Sequence, residues 1–375
     1  TGTILLELRN SGRRAMANIL LFGATGFTGR QVAKELDRRG ASYILAGRNE
    51  SRLQELASSL GGSPEIRVAR ADDPETIGRA LHGVRLVINT VGPFSDLGEE
   101  VVRCALSRGV HYVDTTGEQA FIHRMETKYH ELASRQGVVL CCALAFEYAL
   151  SECVSAIAAQ SLQGRVDLLE TFYRTGRGGV SRGTAKSIVR AMGSPMLAWK
   201  GARLIKENVA NVTTEVTFAG EERYRQATSF GGGTPLHARH YGEIREARSF
   251  LVMNEDVIRK LKKLRHVRGL LGFGLTQHVA DRLIDWRLGD NGPNTTDTSF
   301  HVAARARRAG LNSQVWVSGK DPYRVTAFIA VEGAMRIVAG EQRQAGAFAI
   351  ASILDPETFL TALEQGGMTW SMSHG

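Results

Sequence analysis

The 375-residue sequence predicts an α/β fold: an N-terminal doubly wound parallel sheet, then a second α+β domain with a mixed or antiparallel sheet. Three observations lead there. From residue 18 to about 143, continuous apolar, β-branched runs alternate with helically spaced segments. Strands of that kind, separated by single helices, belong to a parallel sheet covered on both faces. A glycine-rich turn joins the first run to the first helical segment. Beyond about residue 144, strand-like runs follow one another without an intervening helix, which indicates antiparallel pairing.

In the first domain, expected over residues 16–144, the strand candidates are Ile19–Phe22, Tyr43–Ala46, Ile66–Ala69, Leu86–Asn89, Tyr112–Asp114 and Val138–Cys142. Helical spacing fills the gaps: Val32 and Leu36 are four apart in 30–39, and Leu53, Leu56, Ala57 and Leu60 share one face in 51–60. Segments 99–108 and 121–136 behave alike. In the second domain, expected over 145–340, residues 150–161 read as helix and 168–173, 212–218, 299–305 and 314–318 as strands, with Gly310–Ser313 as a reversal. Closing helices are expected at 326–338 and 356–364, the latter opened by Asp355-Pro356. Residues 341–375 are expected to pack back near the first domain, and residues 1–15 read as a tag or upstream extension before Met16.

Composition narrows function. Hydrophobic residues at 43% argue for a packed core rather than disorder. The balance of 47 basic and 38 acidic residues gives +9, which favours anionic partners. Cys104, Cys141, Cys142 and Cys153 form no Cys-x-x-Cys pair, and no metal site is expected. Without a run of about 18–20 apolar residues, a cytoplasmic protein is expected. Gly-x-Ser-x-Gly, His-Glu-x-x-His and P-loop patterns are absent, which removes the usual support for hydrolase, zinc-protease and triphosphatase readings.

The sharpest motif is Gly23-Ala24-Thr25-Gly26-Phe27-Thr28-Gly29, between strand and helix. Gly23 allows the tight turn, Gly26 lets backbone approach a pyrophosphate, and Gly29 allows close helix packing. Free N–H groups at the helix start then face the phosphates. After the second strand, Arg48 stands where an NAD site usually places an acid; with Asn49 it suits a 2′-phosphate, so NADP(H) is expected over NAD. A solvated surface arginine is the competing reading. Asp72 and Asp73 are placed for the adenine edge, and Thr90-Val91-Gly92-Pro93-Phe94 for the nicotinamide ribose.

Taken together, Gly23–Gly29, Ala46-Gly47-Arg48, Thr90–Phe94 and Tyr112-Val113-Asp114-Thr115-Thr116-Gly117-Glu118 resemble the saccharopine dehydrogenase-like oxidoreductases, in the branch of the trans-acting enoyl reductases. Ser181-Arg182-Gly183-Thr184-Ala185 and Asp321-Pro322-Tyr323 with Thr326-Ala327 resemble that family's second-domain turns. The sequence departs from the pattern at Ala145-Phe146-Glu147, where many relatives carry Gly-Phe-Asp and a following proline. The resemblance implies a Rossmann domain and an NADPH-dependent reductase acting on an activated double bond. A conjugated C=C of a small-molecule or carrier-bound acyl substrate comes first; a C=N bond comes second. A noncatalytic NADP-binding sensor is the alternative from another class.

No tyrosine has a lysine four residues later, so the Tyr-x-x-x-Lys relay is missing. Strand ends four to six therefore supply the proton-donor candidates, among them Glu118, Glu147 and Tyr148. Tyr148 ranks first, because a phenol can hydrogen-bond a developing enolate; a packed core tyrosine is its bland reading. Glu118 also fits a helix N-terminal charge. Thr184 and Lys186 lie on a segment able to fold over the nicotinamide. Residues 256–275 alternate Val257, Ile258, Leu261 and Leu264 with Arg259, Lys260, Lys262 and Lys263. Such a basic amphipathic helix fits an anionic membrane surface or an acidic carrier protein, although an ordinary core-facing stripe accounts for it as well. A homodimer is also weighed; nucleic acid is not expected, because no aromatic-interleaved basic motif occurs.

Overall fold

The computed structural model describes residues 18–176, 179–193, 195–264, 274–288 and 292–374. The expected N-terminal extension and residues 265–273 of the basic segment lie outside them.

The first sheet is built from β1 (Ile19–Phe22), β2 (Tyr43–Gly47), β3 (Glu65–Val68), β4 (Leu86–Asn89), β5 (His111–Asp114) and β6 (Val139–Cys141). The helices between them are α1 (Phe27–Arg38), α2 (Glu50–Ser58), α3 (Pro74–Ala80), α4 (Phe94–Leu106) and α5 (Gln119–Arg135). Every pairing is parallel, in the order β3-β2-β1-β4-β5-β6. The order reverses between β1 and β4, the switch point where such sheets bind ligands. All side chains of β1, β2 and β4 are buried, as continuous apolar runs require, whereas β3 is a half-exposed edge.

The chain crosses to the second domain through α6 (Phe146–Gln160), in which Tyr148 to Ala159 are all buried. A helix apolar all round belongs between layers. Accordingly α6 packs on both the second sheet and the C-terminal helices.

The second sheet contains β7 (Val166–Thr175), β8 (Met196–Lys200), β9 (Arg203–Glu207), β10 (Thr213–Val216), β11 (Arg225–Phe230), β12 (Ile244–Val252), β13 (Ser299–Arg308), β14 (Leu311–Lys320) and, near the C-terminus, Thr369–His374. Only β7 and β12 run parallel among the described pairings; the rest are antiparallel, so the sheet is mixed. The β13–β14 reversal falls earlier than the sequence suggested. Ala309 and Gly310, both at positive φ, make a two-residue turn, and Leu311 already pairs with Arg308. Helices α7 (Arg182–Gly193), α8 (Thr234–His237), α9 (Glu255–Leu264) and α10 (Gly274–Arg287) decorate this domain.

The C-terminal region serves both domains. Helix α11 (Pro322–Ala339), expected to belong with the second domain, packs along α1; Arg39 lies 4.2 Å over the Phe328 ring and 2.5 Å from Glu332. Gly346–Ala347 adds a seventh parallel strand beside β6. Thr369–His374 pairs with β14 instead, so residues 341–375 do not pack as one segment on the first domain.

One segment, Gly231–His237, ties the second domain to the first. A Cβ on Gly233 would lie 2.0 Å from Glu152 Oε1, and one on Gly231 would lie 2.9 Å from Gln119 Oε1. A side chain at 233 would have to displace both the Glu152 carboxyl and the Tyr148 ring. Gln119 Nε2 then donates to Gly232 O and Leu197 O, and Ser155 Oγ meets Thr234 Oγ1. At the segment's end, His237 Nε2 lies 2.6 Å from Glu126 Oε1 and Nδ1 lies 3.0 Å from Glu152 Oε1, all three side chains buried. Burial opposes charge on this imidazole, but the two carboxylates outweigh it and hold its pKa well above the ordinary histidine value. The stabilisation is therefore present in full below that ordinary value and is lost as pH rises through the raised one. Replacing His237 by Leu leaves two buried carboxylates without their cation. Urea unfolding at neutral pH should show a loss of about 3–5 kcal/mol; an unchanged midpoint would contradict the clasp.

Candidate functional site

Backbone geometry shapes the glycine loop. Gly23 adopts φ +86°, and its carbonyl accepts from Gly26 N at 3.0 Å. A Cβ on Gly29 would come within 2.2 Å of that carbonyl, so α1 approaches β1 as closely as a missing side chain allows. No side chain caps α1 at its N-cap, Gly26. Its first N–H groups are thus available to an anion.

The adjoining loop after β4 is held by a buried polar chain. Asn89 Oδ1 accepts from Val91 N at 3.0 Å, Asn89 Nδ2 donates to Tyr112 Oη, and Tyr112 Oη donates to Asp114 Oδ2 at 2.9 Å. Asp114 also accepts from Thr116 N and Ala143 N. Burial lifts its carboxyl to about 6 while these donors pull the other way. The Gly92–Pro93 peptide is cis.

A cleft of about 790 Å³ opens beyond these strand ends. Gly23, Thr25, Gly26, Phe27, Thr28, Arg48, Asn49, Asp72, Thr90, Val91, Gly92, Pro93 and Lys186 all line it. The second domain forms its roof. Tyr323 Oη accepts from Ser181 N at 2.7 Å and meets Thr184 Oγ1 at 3.0 Å, while its ring stands edge-on to Phe27, 4.9 Å between centroids. Residues 182–186 are the first turn of α7 rather than a loop, and Lys186 Nζ is bound to Asp285 at 2.8 Å.

Charge in the cleft is lopsided. Among the described residues, Arg30, Arg48, Arg52, Arg70, Arg182 and Lys186 line it with Asp72 and Asp285. Arg70 beside Asp72 holds that carboxyl below the usual range. The excess of cation fits a phosphate-rich ligand. Sequence reading missed Arg30, Arg52, Arg70 and Arg182. Arg52 and Arg70 carried a signal in following the second and third strand ends, whereas Arg182 arrives from the other domain.

Other expected site residues lie elsewhere. Asp73 caps α3 by accepting from Glu75 N and Thr76 N. Asn49 lines the cleft but also caps α2 through Arg52 N. The Phe94 ring is buried against Phe121, 5.9 Å away, and faces the core rather than the cleft. Glu118, 2% exposed, accepts from Phe94 N, Ser95 N, Ser95 Oγ and Ser187 Oγ. It is the N-terminal cap of α4 and a tie to α7, with four donors and no free lone pair to spare for substrate. Tyr148 is buried and off the cleft wall, its hydroxyl donating to Gly231 O at 2.8 Å with Gly117 O at 3.1 Å. Burial pushes the phenol up, so it acts as a strut between the domains rather than the expected proton donor.

Glu147 differs. Its carboxyl lies over Gly117, whose Cβ would be 3.4 Å from Oε1, at the carboxyl edge of β5. Its own N–H is the donor that the carboxylate meets among the described residues, and burial pushes it up to about 7.

Among known families, the saccharopine dehydrogenase NADP binding domain matches residues 19–141, which are β1 to β6. Over that third of the chain the match supports binding of NADP(H). A Caenorhabditis elegans protein named lipid droplet localized protein is 29% identical over 46% of this chain and 44% of its own. A mouse saccharopine dehydrogenase-like oxidoreductase is 29% identical over 47% and 46%, and a Mycobacterium tuberculosis protein named as a trans-acting enoyl reductase is 32% identical over 47% and 44%. The matches span less than half the length of these relatives. Saccharopine dehydrogenase (L-Glu forming) of Saccharomyces cerevisiae superposes over 96% of this chain and all of its own with a TM-score of 0.67 at 12% identity, which establishes a shared fold.

The NADP-binding domain fits its cofactor by its own geometry: an uncapped helix start behind a glycine cradle and Arg48 exposed on the cleft wall. An Arg48→Asp protein should bind NADPH about ten- to a hundredfold more weakly, the worth of one charge-assisted contact, with NADH affinity nearly unchanged. Fluorescence titration with both nucleotides checks this; equal losses would remove Arg48 from 2′-phosphate recognition.

Proposed function

We propose that the protein is an NADPH-dependent reductase of an activated double bond, acting first on a conjugated C=C of an acyl substrate, free or carrier-bound. The observation that carries this reading is the single cleft joining the glycine loop, Arg48 and the α7 turn of the second domain. The relative named as an enoyl reductase supports C=C as the acceptor.

Bound NADPH supplies the hydride. The chain's own work is to hold the nucleotide, cover it and deliver a proton. Residues of the glycine loop and Arg48 would hold the phosphates, and the Asn89–Tyr112–Asp114 chain fixes the Thr90–Pro93 loop that would meet the rest of the nucleotide. Ser181 and Thr184, held on Tyr323, keep α7 over the cleft and limit water. Reduction adds one hydride and one proton across the C=C, and we assign the proton to Glu147. A carboxyl near 7 is about half protonated at neutral pH, so it holds a proton to give there.

The sign of the pH effect follows. The donor must be protonated, so turnover should fall as pH rises through about 7. A Glu147→Gln enzyme should keep NADPH affinity, lose roughly 10²–10³-fold in kcat, and lose that limb of the profile. The test is NADPH oxidation against a panel of enoyl thioesters, enones and imines. Turnover of imines alone would move the acceptor to C=N. Tight NADPH binding without turnover of any member would favour a sensor, and full activity in Glu147→Gln would remove only the proton assignment.

A further inference from the structure

Helix α10 carries a face with no cover among the described residues. Val279, Leu283 and Trp286, spaced i, i+4, i+7, are 52%, 58% and 83% exposed. Such spacing places them in one stripe. At 100° per residue, Arg282 and His278 border the stripe on one side and Arg287 on the other, all exposed. The opposite side of α10 packs on α7.

The acids of α10 do not offset these cations. Asp281 is bound to Arg190, at 2.5 Å, and Asp285 to Lys186 and Arg182. Both carboxylates are thus neutralised from α7, and the outward face keeps an apolar centre with basic margins. An acidic protein could meet the margins too, but among the described residues nothing else on this face, such as a groove or hydrogen-bonding groups, is shaped for one. A lipid interface takes both centre and margins: apolar side chains enter the acyl boundary, Trp occupies the headgroup level, and arginines meet anionic headgroups.

The basic segment noted in the sequence is a weaker candidate. In α9, Ile258 is buried, so part of its apolar stripe faces the core; residues 265–273 lie outside the described part.

We propose that α10 is a peripheral docking face for anionic lipid surfaces, built on Val279, Leu283 and Trp286 with Arg282 and Arg287. Because Asp285 on the same helix lines the cleft, docking would set the cleft mouth beside the lipid.

Co-sedimentation of the full chain with phosphatidylcholine vesicles, with and without phosphatidylserine, tests this. The expected result is binding that needs phosphatidylserine and weakens with salt. Leu283→Ser with Trp286→Ala should reduce it roughly ten- to a hundredfold, and Arg282→Glu with Arg287→Glu by at least about tenfold. Circular dichroism and NADPH titration serve as controls, since none of the four residues lines the cleft. Absence of binding at low salt, or binding unchanged in the apolar variant, overturns the proposal. So does a dimer in light scattering that the apolar variant returns to monomer. Capture of an acidic carrier protein in place of vesicles, lost with Trp286, would assign the face to a protein and overturn it equally.

Discussion

The architecture depends on the insertion of Gly231–His237 between the first domain and α6. The insertion is a steric matter first: side chains at 231 and 233 would collide with Gln119 and Glu152. It is an electrostatic matter second, because the approach buries two carboxylates. A cation must follow them into the interior, and His237 is that cation. Desolvation of three groups is costly, and the pair distances are short enough to recover it only while the imidazole keeps both protons. The clasp at the end of this segment therefore favours the doubly protonated imidazole.

The roof over the cleft is a chain of local contacts. Ser187 reaches Glu118, Arg190 reaches Asp96, and Tyr323 collects Ser181 and Thr184 while touching Phe27. Each joins α7 or α11 to the first domain. The excess of positive charge in the whole chain is expressed where these elements meet, in a cleft that holds three times as many cations as carboxylates among the described residues. A cleft of that sign favours an anionic ligand such as a nucleotide.

What the sequence disclosed follows from range. The parallel sheet was legible because burial on both faces makes each strand a continuous apolar run, a property of four or five neighbours. The Gly23–Gly29 loop and Arg48 were legible because their chemistry is local to one βαβ unit. Ile244–Val252 was not, because it mixes Arg245, Glu246 and Arg248 with Phe250 and Leu251, although it is a central strand between β7 and β11. Its partners lie far off in sequence. The same range separates the site candidates. Nothing near Glu118 reveals that Ser187 and the amides of Phe94 and Ser95 take its lone pairs, and nothing near Tyr148 reveals Gly231 O.

Three carboxyls at the same edge of the first sheet show how environment, rather than residue type, divides the work. Asp114 is buried and lifted to about 6, yet two backbone amides and a phenol hold its oxygens, so it organises a loop. Glu118 is as deeply enclosed but fully engaged as a helix cap. Glu147 is half-buried and lacks their donors, and desolvation lifts its carboxyl to about 7. Hydrogen bonds to a carboxylate stabilise the charged form; without them desolvation alone sets the balance and favours the acid. Of the three, Glu147 is thus the carboxyl whose oxygens no other residue's donor holds among the described residues, and the balance of desolvation against hydrogen bonding, not the residue type, is what sets it apart.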